Sequence, residues 1–319
     1  MAIGAGAAGR DGVTMRVFLL GAGYSARAYA RLAVERGAAV AGTTRSAEKA
    51  ETLATEGITP VLFDGSGIGP DMAAALRETT HLVLSAAPSM RGEGGGQGAD
   101  PLLPLLSRPI TQAMPALRWI GYLSTVGVYG DHRGATVTEE SELRPRSRRA
   151  VERVDAERDW LAAGEKAGIP VAVLRLAGIY GPGRNALVNL KRGTARRVVK
   201  PGQVFNRIHV ADIAGTLDHL ARAGTGGIFN VCDDEPGPPQ DVVTYAAGLM
   251  GIEPPPEIPL EEAEMTPMAR SFWADNKRVS NARLKATGYR FRFPNHRVAL
   301  DAMWRDGSWP GREETASAD

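Results

Sequence analysis

From Met15 onward, short apolar runs alternate with stretches whose apolar residues recur every three or four positions. RVFLL (16–20), AAVAGTT (38–44), TPVLF (59–63), HLVLSAA (81–87), RWIGYLST (118–125) and VAVLRLAGI (171–179) read as strands. Between the early ones, YSARAYARLAVERG (24–37), SAEKAETLATEG (46–57) and PDMAAALRE (70–78) read as helices. In the first of these Ala26, Ala30, Leu32 and Ala33 carry the helical period and Gly37 supplies a stop. Strands so uniformly apolar are buried on both faces, which predicts an α/β protein with a doubly wound parallel sheet and right-handed crossovers. In such sheets a ligand sits at the carboxyl ends of the strands, where the strand order reverses.

After about residue 181 Pro and Gly become frequent (GPG, PGQ, EPGPP, IEPPPE), which predicts a smaller C-terminal subdomain. RGEGGGQG (91–98) reads as an insertion beside the carboxyl edge of the sheet, with a mobile flap as the competing reading. The Gly/Ala-rich start, residues 1–14, reads as a disordered extension, and 308–319 as a flexible tail.

Composition narrows the class. The 319 residues hold Lys+Arg 38 against Asp+Glu 36, a balance that argues against a dedicated nucleic-acid or membrane-surface protein. The basic run KRGTARRVVKPG (191–202) has no aromatic platforms beside it, so no nucleic-acid partner is expected. Cys232 is the single cysteine, which excludes an intramolecular disulfide, and five dispersed His give no metal cluster. No apolar run approaches the ~20 residues that span a bilayer, and the N-terminus lacks the pattern of a secretory signal, so a cytoplasmic location is the default expectation.

The first chemical signal is LLGAGYSA. Gly21, Gly23 and Ala26 stand in the spacing G-x-G-x-x-A, directly after strand one and at the mouth of a helix that begins with Tyr24 and Ser25. Gly21 permits the tight turn, Gly23 lets a pyrophosphate approach the backbone, and Ala26 lets helix pack on strand. The sheet is therefore expected to be Rossmann-type, with a nucleotide-binding domain over 15–181, to which 208–232 returns. The substrate subdomain is expected over 182–207 and 233–307. Strand two ends at Thr44, Arg45 and Ser46, where sites selective for NAD tend to carry an acid. An arginine flanked by hydroxyls suits a 2′-phosphate, so NADP is favoured over NAD, although Ser46 also reads as a helix N-cap. Asp64 at the end of strand three reads either as an adenine contact or as a turn residue, and Ala86 and Ala87 at the end of strand four complete the expected cofactor set.

Taken in order, RVFLLGAGYSARA, VLSAAPS, LSTVGVYG, LRLAGIYGPG, RIHVADI and FNVCDDEP resemble the extended short-chain dehydrogenase/reductases of the NAD-dependent epimerase/dehydratase family, over about residues 15–300. The resemblance implies a cofactor domain first, a substrate pocket from the C-terminal part, and hydride-transfer chemistry. Leu20 stands where the family has its first glycine and Ala26 where it has its last. The family's catalytic pattern is a Ser/Thr before V-Y-G, followed by Pro-x-Ser-x-Tyr-x-x-x-Lys-x-x-x-Glu. Thr125 matches the Ser/Thr, and Pro145, Ser147 and Glu157 match the frame, but Arg149 occupies the Tyr position and Arg153 the Lys position.

That replacement is chemically severe, because a guanidinium stays protonated and cannot shuttle a proton. Two arginines at i and i+4 can instead present a planar donor surface to carboxylate or phosphate, or they can belong to a solvated, salt-bridged helix face. Tyr129 and Tyr180 are alternative proton donors, with packing the competing role. By the resemblance, Asn185 and Arg207 line the substrate side, with Arg207 suited to an anionic group, while His209 packs and Asp212 caps a helix. The expected protein is an NAD(P)-dependent oxidoreductase or epimerase-like enzyme of a small, anionic metabolite. The competing reading is a catalytically silent NADP-binding redox sensor. A homodimer is compatible with either.

Overall fold

A computed structural model describes residues 14–88, 100–106 and 108–311, Pro267 and Met268 by backbone alone. The expected insertion at 91–98 lies outside the described residues, as do the extension up to residue 13 and the tail from residue 312.

The chain forms two compact units. The first comprises the chain up to Thr125 together with Arg146–Arg175 and Ile213–Phe229. It is built on a seven-stranded sheet: β1 (Arg16–Leu20), β2 (Ala39–Thr44), β3 (Ile58–Leu62), β4 (His81–Leu84), β5 (Trp119–Thr125), β6 (Val171–Leu176) and β7 (Gly227–Val231). Their order across the sheet is β7-β6-β5-β4-β1-β2-β3. The chain steps outward from β1 through β2 to β3 and then returns to the other side of β1 as β4, so the order reverses between β1 and β4. Both neighbours of β1 run parallel to it, Val17 lying opposite Val40 in β2 and His81 in β4.

The apolar character of the strands has the expected cause. In β6 all six residues are buried, and in β5 all but Thr125. Helices α3 (Pro70–Glu78) and α4 (Arg148–Ala167) contribute Met72, Leu76, Ala156 and Trp160 to a core that includes Phe18, Leu82, Ile120, Tyr122 and Val173. Helix α1 (Tyr24–Glu35) buries Ala26, Ala30 and Ala33 completely, small side chains that let its backbone approach closely. Helix α2 (Ala47–Thr55) and helix α5 (Val210–Ala223) complete the set used below. Ser147 caps the start of α4 by accepting from the Ala150 N–H, and Gly168 at φ 68° ends it.

The second unit comprises Val126–Pro145, Leu176–Asp212 and Asn230 onward. Three short parallel pairs organise it: 178–180 with 207–209, 197–199 with 257–259, and 136–137 with 278–279. Its helices 186–191, 239–250 and 296–305 share a core of Ala186, Leu187, Ala246, Leu300 and Met303. Among the described residues no helix is long and apolar enough to cross a membrane.

Candidate functional site

The loop from β1 into α1 lies at the reversal of strand order and is pinned from both sides. From the β4 side, the Leu20 carbonyl accepts from Ser85 N at 2.9 Å and Ala86 N at 2.8 Å. From the β2 side, Thr43 Oγ1 accepts from Gly21 N at 2.7 Å and the Thr43 carbonyl from Ala22 N at 3.0 Å. Gly21 adopts φ +89°, and a Cβ placed there would lie 2.8 Å from Ala86 N, so no other residue fits without displacing backbone. Thr43 is a site residue that sequence reasoning missed, since a β-branched residue inside a strand needs no further explanation.

Gly23 behaves differently. It is exposed, and a Cβ there would meet nothing within 4 Å. It is also the N-cap of α1, with no side-chain cap and no acidic residue in the first turn, so the positive end of the helix carries no counter-charge of its own. Ser25 and Ala26 are buried beneath it and Tyr24 is half-buried. A pinned turn with an open helix start at Gly23 fits a pyrophosphate: the first turn of α1 would hold it, and the bound nicotinamide would supply hydride transfer.

The residues at the far end of the expected cofactor set divide. Arg45 is exposed and makes no hydrogen bond or ion pair among the described residues. Its neighbours are occupied locally: Ser46 Oγ accepts from Lys49 N as the N-cap of α2, and Thr44 Oγ1 accepts from Ser46 N at 3.3 Å. Asp64 forms an Asx turn, accepting from Ser66 N at 2.8 Å and Ser66 Oγ at 2.6 Å, which holds its carboxyl below the usual range. The turn reading of Asp64 and the cap reading of Ser46 are therefore the observed ones. Ala86 faces Gly21, and Ala87 is exposed.

Thr125 ends β5, half-buried. One residue earlier, Ser124 Oγ donates to Glu157 of α4, and Arg175 of β6 completes a buried cluster, its Nη2 2.7 Å from Glu157 Oε2 with both side chains 3–4% exposed. Asp100 adds a second anchor, accepting from the Trp160 indole at 2.7 Å. Arg153 turns back onto β5: Nη1 donates to the Leu123 carbonyl, and the guanidinium lies 5.7 Å from the Tyr122 ring. Burial pushes the Tyr122 hydroxyl up to about 12 against the opposing charge of Arg153. Arg149, one turn earlier, is exposed. The structure thus separates the two arginines: one tethers the helix and the other remains at the surface. Arg148 with Glu152, and Arg158 with Asp155 and Asp159, make the salt-bridged face.

In the second unit Tyr129 and Asn185 take the structural roles that competed with their site roles, and the expected cap at Asp212 is corrected. Tyr129 is fully buried and its hydroxyl donates to Asn230 Oδ1 at 2.7 Å, so it packs and offers no proton to a ligand. Asn185 caps helix 186–191 through Val188 N and gives both amide hydrogens to the Gly181 and Trp309 carbonyls, which leaves none for a substrate. Asp212 lies inside α5 and does not cap it; its carboxylate accepts from Tyr289 Oη, Arg292 N and Phe293 N. Arg207 is half-buried, and three of its N–H groups go to the carbonyls of Phe205, Gly237 and Pro238. His209 is buried against Phe293 and Tyr180, and burial lowers its pKa to about 4. Among the described residues there is no cluster of potential metal ligands.

The strand order and the pinned glycine turn define a Rossmann-type nucleotide-binding α/β protein. The model of the NAD dependent epimerase/dehydratase family matches residues 105–232. It is similar to a functionally unknown conserved protein from Silicibacter pomeroyi DSS, with 43% identity and a TM-score of 0.81, covering 92% of this chain and 99% of that one. It is also similar to Protein YeeZ of Escherichia coli (strain K12), 29% identical over 252 residues, 75% of this chain and 85% of that protein. Human epimerase family protein SDR39U1 (isoform2), whose structure contains NADPH, shares the fold at 21% identity, with a TM-score of 0.70 and coverage of 92% and 100%.

Proposed function

We propose that this chain binds NADP at the β1–α1 turn and acts as an oxidoreductase or epimerase-like enzyme on a small, anionic metabolite. The observation that carries the reading is the turn itself, where Gly21 is packed against Ala86 while Gly23 and the uncapped start of α1 stand open. Arg45 supports NADP over NAD, being an exposed cation with no partner where a 2′-phosphate would lie. Thr125 is the candidate for orienting a substrate carbonyl. Arg149 is the candidate for meeting its negative charge, with Arg153 holding α4 to β5.

One observation favours a second reading, a silent NADP-binding sensor. Neither arginine can transfer a proton, and the Tyr129 phenol is committed to Asn230. Calorimetric titration with NADPH and NADH separates cofactor choice from chemistry. The expected result is tighter binding of NADPH, reduced about tenfold by Arg45→Ala with NADH unaffected. Equal affinity for the two nucleotides in the wild type removes the role of Arg45. A screen of small carbonyl acids for nicotinamide absorbance change then divides enzyme from sensor.

A further inference from the structure

The end of β2 is shaped around the glycine turn and leads directly into the loop that carries Arg45. A Cβ on Gly42 would lie 3.2 Å from the Ala22 Cβ and 3.3 Å from Ile58 Cγ2, so its missing side chain makes room for the turn. Thr43, 5% exposed, grips the turn with both of its oxygens: Oγ1 accepts from Gly21 N at 2.7 Å and the carbonyl from Ala22 N at 3.0 Å. The Thr44 carbonyl accepts from Phe63 N at 2.9 Å, which fastens the same strand end to the β3 side.

Arg45 follows two positions after Thr43, a backbone distance of about 7 Å in an extended chain. Its main chain lies between fixed neighbours, since Thr44 Oγ1 accepts from Ser46 N at 3.3 Å and Ser46 Oγ caps α2 through Lys49 N. Its side chain is exposed. The turn and the cation are therefore mounted on one strand end, and the Thr43 hydroxyl is the side-chain link between them.

Two contacts made to one ligand reinforce each other only when their spacing matches that ligand. In NADP the pyrophosphate and the 2′-phosphate leave the same ribose, so a turn displaced relative to Arg45 can satisfy one of them and not both. Packing does not by itself require a hydroxyl at position 43. Valine has the same branching and suits a strand equally, but it would leave Gly21 N without this acceptor.

We propose that Thr43 is a positioning residue for cofactor choice: its hydroxyl fixes the glycine turn relative to Arg45, so that the pyrophosphate and the 2′-phosphate of NADP are held together. The inference rests on the reading of the turn and Arg45 as an NADP site, and adds a residue that acts through Gly21 rather than on the ligand.

Calorimetric titration of NADPH and NADH into Thr43→Val, Arg45→Ala and the double variant tests it. In Thr43→Val, NADPH affinity should fall about tenfold and NADH affinity about twofold, so that preference for NADPH shrinks about fivefold. Arg45→Ala should cost NADPH about tenfold in the wild type and only about twofold in the Thr43→Val background. Thr43→Ser, which keeps the hydroxyl, should retain the wild-type preference. A turn that is merely loosened weakens both nucleotides alike. Equal losses for NADPH and NADH, an undiminished Arg45→Ala effect in the double variant, or lost preference in folded Thr43→Ser would overturn the proposal.

A measurement on the wild type holds whether or not Thr43→Val folds. The two nucleotides differ only in the 2′-phosphate, so at saturation the Gly21 amide should exchange its hydrogen about threefold more slowly with NADPH than with NADH, as read by NMR. Equal exchange would overturn the coupling while leaving the cofactor reading intact. Absence of binding by either nucleotide to the wild type would overturn the cofactor reading, and the role of Thr43 with it.

Discussion

The β1–α1 turn and helix α4 both begin an element near the carboxyl edge of the sheet, and they dispose of their polar groups in opposite ways. In the turn, Leu20, Gly21 and Ala22 are tied to β4 and β2, and the start of α1 at Gly23 has no side-chain cap. In α4, side chains reach inward: Glu157 to Ser124 and Arg175, and Arg153 to the Leu123 carbonyl. A helix start without a cap or a first-turn acid suits an anion, which is what the proposed pyrophosphate site uses. A helix whose charged side chains are already paired is a structural one.

The largest effect that would sharpen this contrast is at Glu157. Glu157→Ala strands Arg175 in the core, and urea unfolding should show a loss of about 3–5 kcal/mol. The double variant Glu157→Met with Arg175→Met should recover most of it, since a paired apolar replacement leaves no buried charge. A single-variant loss below about 1 kcal/mol would mean that α4 is held by something else.

Gly21→Val comes next. The positive φ costs about 1–3 kcal/mol for a branched residue, and its Cβ overlaps Ala86, so both the melting temperature and NADPH binding should fall. Retention of both would show that the turn is more pliable than its packing implies.

A smaller effect separates the two arginines of α4. Arg153→Met should cost about 1 kcal/mol through the lost hydrogen bond to Leu123, whereas Arg149→Met should stay within about 0.5 kcal/mol. Equal effects in chemical denaturation would erase the distinction between tether and surface residue.

Legibility followed the same division. The sheet and the glycine turn were readable because periodicity and the absence of side chains are local properties of sequence. The roles of Tyr129 and Asn185 were not, since their partners lie far along the chain: Asn230 is 101 positions from Tyr129, and Trp309 is 124 from Asn185. Some signals were present and underused. Arg175 interrupts an otherwise apolar buried strand, which by itself demands a buried carboxylate, and Glu157 stands on the covering helix. Asn185 directly precedes a helical stretch, the position where a side-chain oxygen caps.

The central claim is that the open start of α1 at Gly23 holds the pyrophosphate. Its most direct test is calorimetric titration of NADPH into wild-type protein and into Gly23→Asp, a substitution that meets no neighbouring atom yet sets a carboxylate where the phosphates would lie. The account predicts saturable binding by the wild type and none by the variant, with melting temperatures alike. Undiminished binding by Gly23→Asp, or no binding by the wild type, would contradict it.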